Sequence, residues 1–287
     1  MHRRSAVGLR RAPYALWGQA FGSWGRFGGN GNAAGITSTT GGFLIGADAS
    51  VGQIWRLGLA GGYGRTTFDG KARLSSGTID SYHAALYGGG QFGALALRFG
   101  GAYTWNEIET KRAISIHGFS DQTIASDQAR SAQVFGEAGY GMRFGDLALE
   151  PFANVALVHL DSDGFIERGG AATLRGRGGS ESVAFTTLGL HLGTSIDLGA
   201  GTALTLRGTL GWRHAFGDVA PVALLAFASG GSPFTVTGTP IARDAFVADA
   251  GIELALTRAA SLSLSYSGQF GNKAQENAVK GNFVWRF

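Results

Sequence analysis

Cysteine is absent from this chain, proline occurs only 5 times in 287 residues, and charged residues make up only 15%. Without cysteine there is no disulfide framework and no thiolate metal site. So little proline, with no three-residue glycine period, removes collagen-like and proline-rich disordered readings. The formal net charge is only +4. A nucleic-acid binder concentrates basic charge on one face or in one run. Here the one basic cluster is "HRRSAVGLRR" at the start, and the remaining Arg and Lys are scattered singly. No run of about 18 apolar residues exists, which excludes a membrane-crossing helix. Arg3, Arg4, Arg10 and Arg11 resemble a positive leader region, but no apolar stretch follows them, so no signal peptide is expected here.

Glycine and a two-residue rhythm fill the space those absences leave. The chain holds 49 glycines and is 44% hydrophobic. From about residue 14 onward apolar and polar residues alternate, the signature of strands with one apolar face. In "DAFVADAGIELAL" the positions Phe246, Ala248, Ala250, Ile252, Leu254 and Leu256 oppose Asp249 and Glu253. In "SLSLSYSGQF" Leu262, Leu264, Tyr266 and Phe270 oppose Ser263, Ser265, Ser267 and Gln269. About twelve segments follow this rule, at 14–24, 42–51, 55–65, 79–92, 95–108, 131–144, 147–160, 183–198, 203–216, 244–256, 261–271 and 278–287. Most run about 10–15 residues, whereas soluble strands average about 5–6 and a tilted membrane-crossing strand needs about 9–11.

The connections carry a second rhythm. Short ones ("GQI", then 93–94, 145–146, 199–202 and 257–260) alternate with long ones at 25–41, 66–78, 109–130, 161–182, 217–243 and 272–277. Short turns on one side and longer loops on the other mark antiparallel outer-membrane barrels. The pattern predicts an all-β, twelve-stranded, antiparallel transmembrane β-barrel over 14–287. An even strand number puts both termini on the short-turn, periplasmic side. Aromatics near segment ends (Trp24, Trp55, Phe68, Tyr82, Phe92, Tyr103, Trp105, Trp212, Trp285 and Phe287) are expected to form interfacial girdles. Abundant glycine is expected to relieve crowding inside the curved wall.

The stretches "WRLGLAGGYGRT", "DSYHAALYGG", "SAQVFGEAGYG", "LALEPFANVALVHL", "FIERGGAATL", "TTLGLHLGT", "LGWRHAFGD", "ASGGSPFTVTGTPIARDAFVADAGI" and "LSYSGQFGN" occur in that order. Together they resemble the β-domain of autotransporters, the translocator of type V secretion, from about Leu16 to Phe287. The resemblance implies a barrel that anchors an upstream passenger and helps carry it to the cell surface. It implies as partners outer-membrane lipid, the barrel-assembly machinery and the chain's own upstream linker and passenger. It also implies that Val279, Phe283, Trp285 and Phe287 form a terminal aromatic assembly signal that pairs the last strand with the first. Only about 13 residues precede the first strand. They read as a residual basic linker that enters the lumen, and the chain reads as a fragment or as a protein reduced to its barrel.

Parity places Asp48, Glu137, Glu150, Asp249 and Glu253 on the polar face with Arg98, Arg207, Arg213, Lys280 and Arg286. This set is expected to form a hydrated lumen wall that pairs with a threaded linker, or an ion-pair network that fills the barrel. The acidic members are expected to receive Arg3, Arg4, Arg10 or Arg11. No metal, cofactor, nucleic acid or catalysis is expected, and a monomer is. None of the 6 histidines forms HxxxH or HExxH. "GNGNAAG" at 29–35 lacks the helix and acidic residue of a dinucleotide loop and reads as a surface loop. The alternatives are a passive porin-like channel and a barrel hydrolase. For the latter His159 and Asp161 near the rim, or His214 with Asp218, are the candidate residues.

Overall fold

A computed structural model describes residues 13–29, 34–70, 74–199 and 202–287. The expected linker, apart from Pro13, lies outside the described residues, as do Arg3, Arg4, Arg10 and Arg11. Twelve long strands follow in order: β1 (Tyr14–Phe27), β2 (Ile36–Val51), β3 (Trp55–Gly70), β4 (Ser75–Phe92), β5 (Leu95–Ile116), β6 (Phe119–Tyr140, continued by Met142–Phe144), β7 (Leu147–Ser162), β8 (Gly179–Gly199), β9 (Thr202–Gly217), β10 (Asp244–Ala255), β11 (Ala260–Gly271) and β12 (Ala274–Arg286). Each pairs antiparallel with its sequence neighbours, and β12 pairs with β1 from Ala15↔Arg286 to Phe27↔Ala274. The last residue completes the closure: Tyr14 N–H donates to the Phe287 carbonyl at 3.1 Å and Phe287 N–H donates back at 3.0 Å. No sheet edge remains in the wall, the condition for backbone to stand in hydrocarbon.

Alternation decides which side of the wall each residue faces. Leu59, Leu86, Val134, Leu157, Leu188, Ile252 and Leu264 point outward and are exposed. The buried apolar residues are few and mostly small, chiefly alanines. A water-soluble protein of this size does not present an apolar belt around its whole girth. Lipid is the solvent that makes such a surface favourable. On β1 the belt runs from Tyr14 to Trp24. Ten residues at ~3.3 Å, tilted ~40°, rise ~25 Å, the height of a barrel's apolar band.

Aromatic pairs bound the belt. At the end carrying the termini, Trp55 meets Phe92 at 5.3 Å and Phe99 at 5.8 Å, and Phe287 meets Tyr14 at 5.9 Å. At the other, distal end Tyr63 meets Tyr82 at 5.5 Å and Tyr103 meets Trp105 at 4.7 Å. Phe68 is a correction to the expected girdle. Its register partner Gly77 and its neighbour Thr66, opposite Thr40, place it on the inward face.

That inward position is one case of a rule that accounts for much of the glycine. Trp17, Phe21, Phe68, Tyr87, Phe135 and Phe152 face the lumen and pair directly with Gly46, Gly42, Gly77, Gly58, Gly100 and Gly189. A β-carbon on any of those glycines would collide with the facing ring. The rings therefore lie flat against the neighbouring strand, covering backbone that glycine leaves bare.

Turns at the terminal end are tight, with Gly93 and Gly145 at φ 63° and 61° supplying the left-handed conformation that short hairpins need. At the distal end the expected long loops fail three times: within 66–78, β3 and β4 stay paired to Gly70↔Ser75. Residues 109–130 are hairpin, because β5 and β6 stay paired to Ile116↔Phe119 around a turn with Gly118 at φ 78°. Of residues 272–277 only 272–273 form a turn, tight and with Lys273 at φ 58°, and β12 begins at Ala274. The expectation missed these because it followed the apolar face, whereas backbone pairing continues past the membrane, where both faces meet water. Two genuinely long connections, 163–178 and 218–243, contribute Phe165–Ile166, Leu174–Gly176, Val222–Phe227 and Phe234–Thr237 to a separate four-stranded sheet.

Candidate functional site

Strand register places all ten charged candidates on the inward face. Asp48 opposes inward Ala15, Arg98 opposes Glu137, Glu150 opposes His191, and Arg207, Arg213, Asp249 and Glu253 alternate along β9 and β10. Lys280 and Arg286 face inward opposite Phe21 and Ala15.

The side chains gather into clusters at different heights. Nearest the terminal end, Arg56 pairs with Asp48, which also accepts from the Tyr87 hydroxyl at 2.9 Å. Tyr87 in turn accepts from the Trp17 indole at 2.5 Å. These groups line a recess of ≈ 600 Å³ that Arg286 and Asn282 share. Across the lumen Glu253 receives Arg207 at 2.6 Å, with Arg286 at 3.9 Å. Arg286 also donates to Ser261 Oγ at 3.1 Å.

Further along, one guanidinium serves two carboxylates. Arg98 Nη1 donates to Glu137 at 2.8 Å and to Glu150 at 2.7 Å. His191 Nε2 lies 3.4 Å from Glu137, while its Nδ1 lies 3.0 Å from Thr209 Oγ1. The imidazole stacks on Phe152, centroids 4.0 Å apart. Glu137, Glu150 and His191 converge closely enough to hold a cation. Arg98 already bonds an oxygen of each carboxylate there, so the geometry is that of an ion-pair network. Arg213 donates to Gln269 at 2.8 Å and Thr187 at 3.3 Å and lies over the Phe185 ring at 5.7 Å. Asp249 and Lys280 face Ser267 and Ser265 across the ladder.

Partly solvated ion pairs are worth about 0–1 kcal/mol each. Their effect here is to order long side chains against the wall. The polar face read from the sequence included Gln269 but not Arg56, Tyr87 and His191. Inward parity would have found them, but the histidine was weighed only as a metal ligand.

The rim candidates sit on the opposite, outward face. His159 Nδ1 lies 2.8 Å from Ser182 Oγ and its Nε2 3.3 Å from Asp161. This resembles a nucleophile, base and acid in a row. The Ser182 amide, which an oxyanion would need, already donates to Asp218 Oδ2 at 3.0 Å. A carboxylate at that point repels a developing negative charge, the reverse of what acyl transfer requires. Asp218 is therefore not the partner of His214. That histidine meets Asp244 at 2.7 Å, between Trp212 and Phe216.

Comparison with known proteins accords with this geometry. The translocator domain of the autotransporter NalP from Neisseria meningitidis has a TM-score of 0.74 at 18% identity, covering 98% of this chain and 91% of that one. The β-domain of the Bordetella autotransporter BrkA has a TM-score of 0.71 at 18% identity, covering 96% and 100%. An extracellular serine protease of Serratia marcescens is 40% identical over 285 residues, which is 99% of this chain but 27% of that protein. This chain thus spans about a quarter of that relative's length. Translocator domains of this kind are not themselves catalytic, and the protease in that name refers to the part this chain does not cover. A family model described as the Autotransporter beta-domain matches residues 16–267. With a closed twelve-stranded wall and that match across most of its length, this chain belongs to the autotransporter β-domain family and is an outer-membrane translocator domain for passenger export.

Proposed function

We propose that both termini face the periplasm, that an upstream passenger enters the lumen from that side, and that the inward charges serve its passage. The single observation behind this is the pairing of four inward carboxylates with guanidinium groups: Asp48 with Arg56, Glu137 and Glu150 with Arg98, and Glu253 with Arg207. Such a wall presents polar groups to a passing backbone without offering a net charge that would trap it. Asp48, Arg98, Glu137, Glu150, Arg207, Arg213, Asp249, Glu253, Lys280 and Arg286 would then replace water as hydrogen-bond partners of the translocating chain. The basic residues of the 1–13 linker, Arg3, Arg4, Arg10 and Arg11, lie outside the described residues. Val279, Phe283, Trp285 and Phe287 serve as the signal for the barrel-assembly machinery. The reading is supported by the last strand's pairing, in which Phe283 and Trp285 lie opposite Gly18 and Leu16 of β1. The barrel works as a monomer in lipid, with no cofactor and no nucleic acid.

A reporter domain fused upstream of Ala15 tests the proposal. In cells it is expected at the surface, reachable by an antibody that does not cross the membrane. A folded barrel that leaves the reporter periplasmic in every fusion would overturn it. Deleting Phe287 should separately lower the amount of folded barrel in the membrane while leaving synthesis unchanged.

A further inference from the structure

The inward face of the distal mouth is covered. Thr123, Ala125 and Ala129 of β6 share the register of Glu137 and point into the lumen. They are only 1%, 6% and 4% exposed, although they stand at an open end. The cover is the connection between β7 and β8. Arg168 and Gly169 extend the ladder on Ile124 and Thr123. Glu167, itself nine-tenths buried, takes inward-facing Arg112 of β5 at 3.0 Å and 2.5 Å. Arg112 also donates to the Ala172 carbonyl at 2.8 Å, and Asp121 accepts from the Ala172 amide at 2.7 Å.

This cover continues across the mouth. Leu174–Gly176 pairs with Ala226 and its neighbours in the β9–β10 connection, joining two loops into one sheet. The β9–β10 connection then reaches the β1–β2 connection, where Thr239 Oγ1 donates to the Ala34 carbonyl at 3.3 Å. The β1–β2 and β7–β8 connections leave the wall half the ring apart. A chain of hydrogen-bonded contacts that runs between them and grips inward Arg112 spans the opening.

We propose that connections 163–178 and 218–243 form a hinged lid that seals the lumen against small polar solutes, and that the Arg112–Glu167 pair is its latch. A bidentate guanidinium–carboxylate pair gives geometric specificity as well as attraction, and truncating one partner leaves the other buried and unpaired. Backbone bonds near the roots of the connections, from the Asp163 and Gly170 amides to the Gln128 and Gln122 carbonyls, hold the lid beside β6, and the latch is the side-chain pair that fastens it to β5. The inference concerns solute leakage and does not depend on which way the barrel faces, so its failure would leave the translocator reading intact.

Conductance of the refolded full chain in planar bilayers tests the lid, with heat-modifiable electrophoretic mobility confirming a folded barrel in each sample. Glu167→Gln and Arg112→Ala are expected to raise conductance roughly threefold or more, the scale of a relieved constriction. The exchange Arg112→Glu with Glu167→Arg is expected to return it toward the parent. Ile124→Cys with Arg168→Cys, at cross-strand partners whose ~4.5–5.5 Å spacing suits a disulfide, should hold a Glu167→Gln barrel at parent conductance until reduced. Replacing residues 222–237 by a glycine-serine turn removes half the lid and decides the matter if a latch variant does not fold. Equal conductance in the parent and in every folded variant, the loop replacement included, would overturn the proposal.

Discussion

Leu264 and Ile116 are both aliphatic, both on the same closed sheet, and exposed to 52% and 66%. They stand in different solvents. Leu264 sits mid-wall on β11 between Leu262 and Tyr266, facing lipid. Ile116 tops the β5–β6 hairpin, well beyond the aromatic Trp105 that marks the end of the apolar belt. Exposure alone therefore says nothing about cost; the medium that the side chain meets decides. Exchanging each for arginine should separate the two most widely. Leu264→Arg is expected to destabilise the folded barrel by about 2–4 kcal/mol, as charges do near a bilayer midplane. Ile116→Arg should stay within about 0.5 kcal/mol, as surface changes in water do. Urea unfolding in lipid vesicles measures both. Equal effects would mean that the belt is misplaced.

A second contrast divides the two faces of the wall itself. Outward glycines such as Gly136 have open space beside them, whereas inward Gly58 lies under the Tyr87 ring and beside Asp48. Gly58→Val should push Tyr87 off the Asp48 carboxylate and cost about 1–3 kcal/mol, the range of overpacking. Gly136→Val, facing lipid, should be close to neutral. Stability of the two variants in the same vesicles checks the difference.

Smaller effects belong to the inward charges. Glu137→Gln removes one of the two carboxylates on Arg98 while Glu150 remains, at 2.7 Å. The loss expected is at most about 1 kcal/mol, since partly solvated pairs are weakly coupled. A larger loss would place the cluster in a drier setting than a hydrated lumen and would argue for a plugged barrel.

Much of this could be read from the chain before any fold was known, for a physical reason. Lipid imposes strict alternation, so wherever hydrocarbon touches the wall the residues carry a legible period of two, as at Leu188 and Leu190. Strand number and closure follow from it. Parity marks which side chains share the lumen but not which ones meet: Arg98 joins Glu137 and Glu150 only because β5, β6 and β7 are adjacent. Beyond the belt the imposed period ends. Glu107, Glu109 and Lys111 project outward from β5 into water, so the hairpin looked like a loop. The lid is harder still to read, since its short strands pair across two loops far apart in sequence. Phe68 misled because an aromatic near a strand end suits both a girdle and a lumen ring over glycine, and only register separates them.

The smallest effect expected is also the sharpest test of the opening contrast. Beyond Ala113, whose amide still donates to the Leu74 carbonyl at 3.1 Å, β5 has β6 as its partner up to the turn. Replacing residues 115–120 by Asn-Gly joins the register partners Ile114 and Asp121, removes the projecting tip and keeps Arg112, Asp121 and Thr123. A two-residue turn of that composition matches the twist of the flanking strands. No lipid contact is lost, and water satisfies the backbone groups that are freed. Stability should change by less than about 0.5 kcal/mol, with the amount of folded barrel in the membrane unaltered. An equal excision from mid-wall, residues 262–267 of β11, would leave β10 and β12 unpaired in hydrocarbon, where each orphaned backbone group costs several kcal/mol. That chain should not assemble. If the tip excision failed in the same way, the hairpin would be part of the folding unit, and the division of one sheet between two solvents would have to be abandoned.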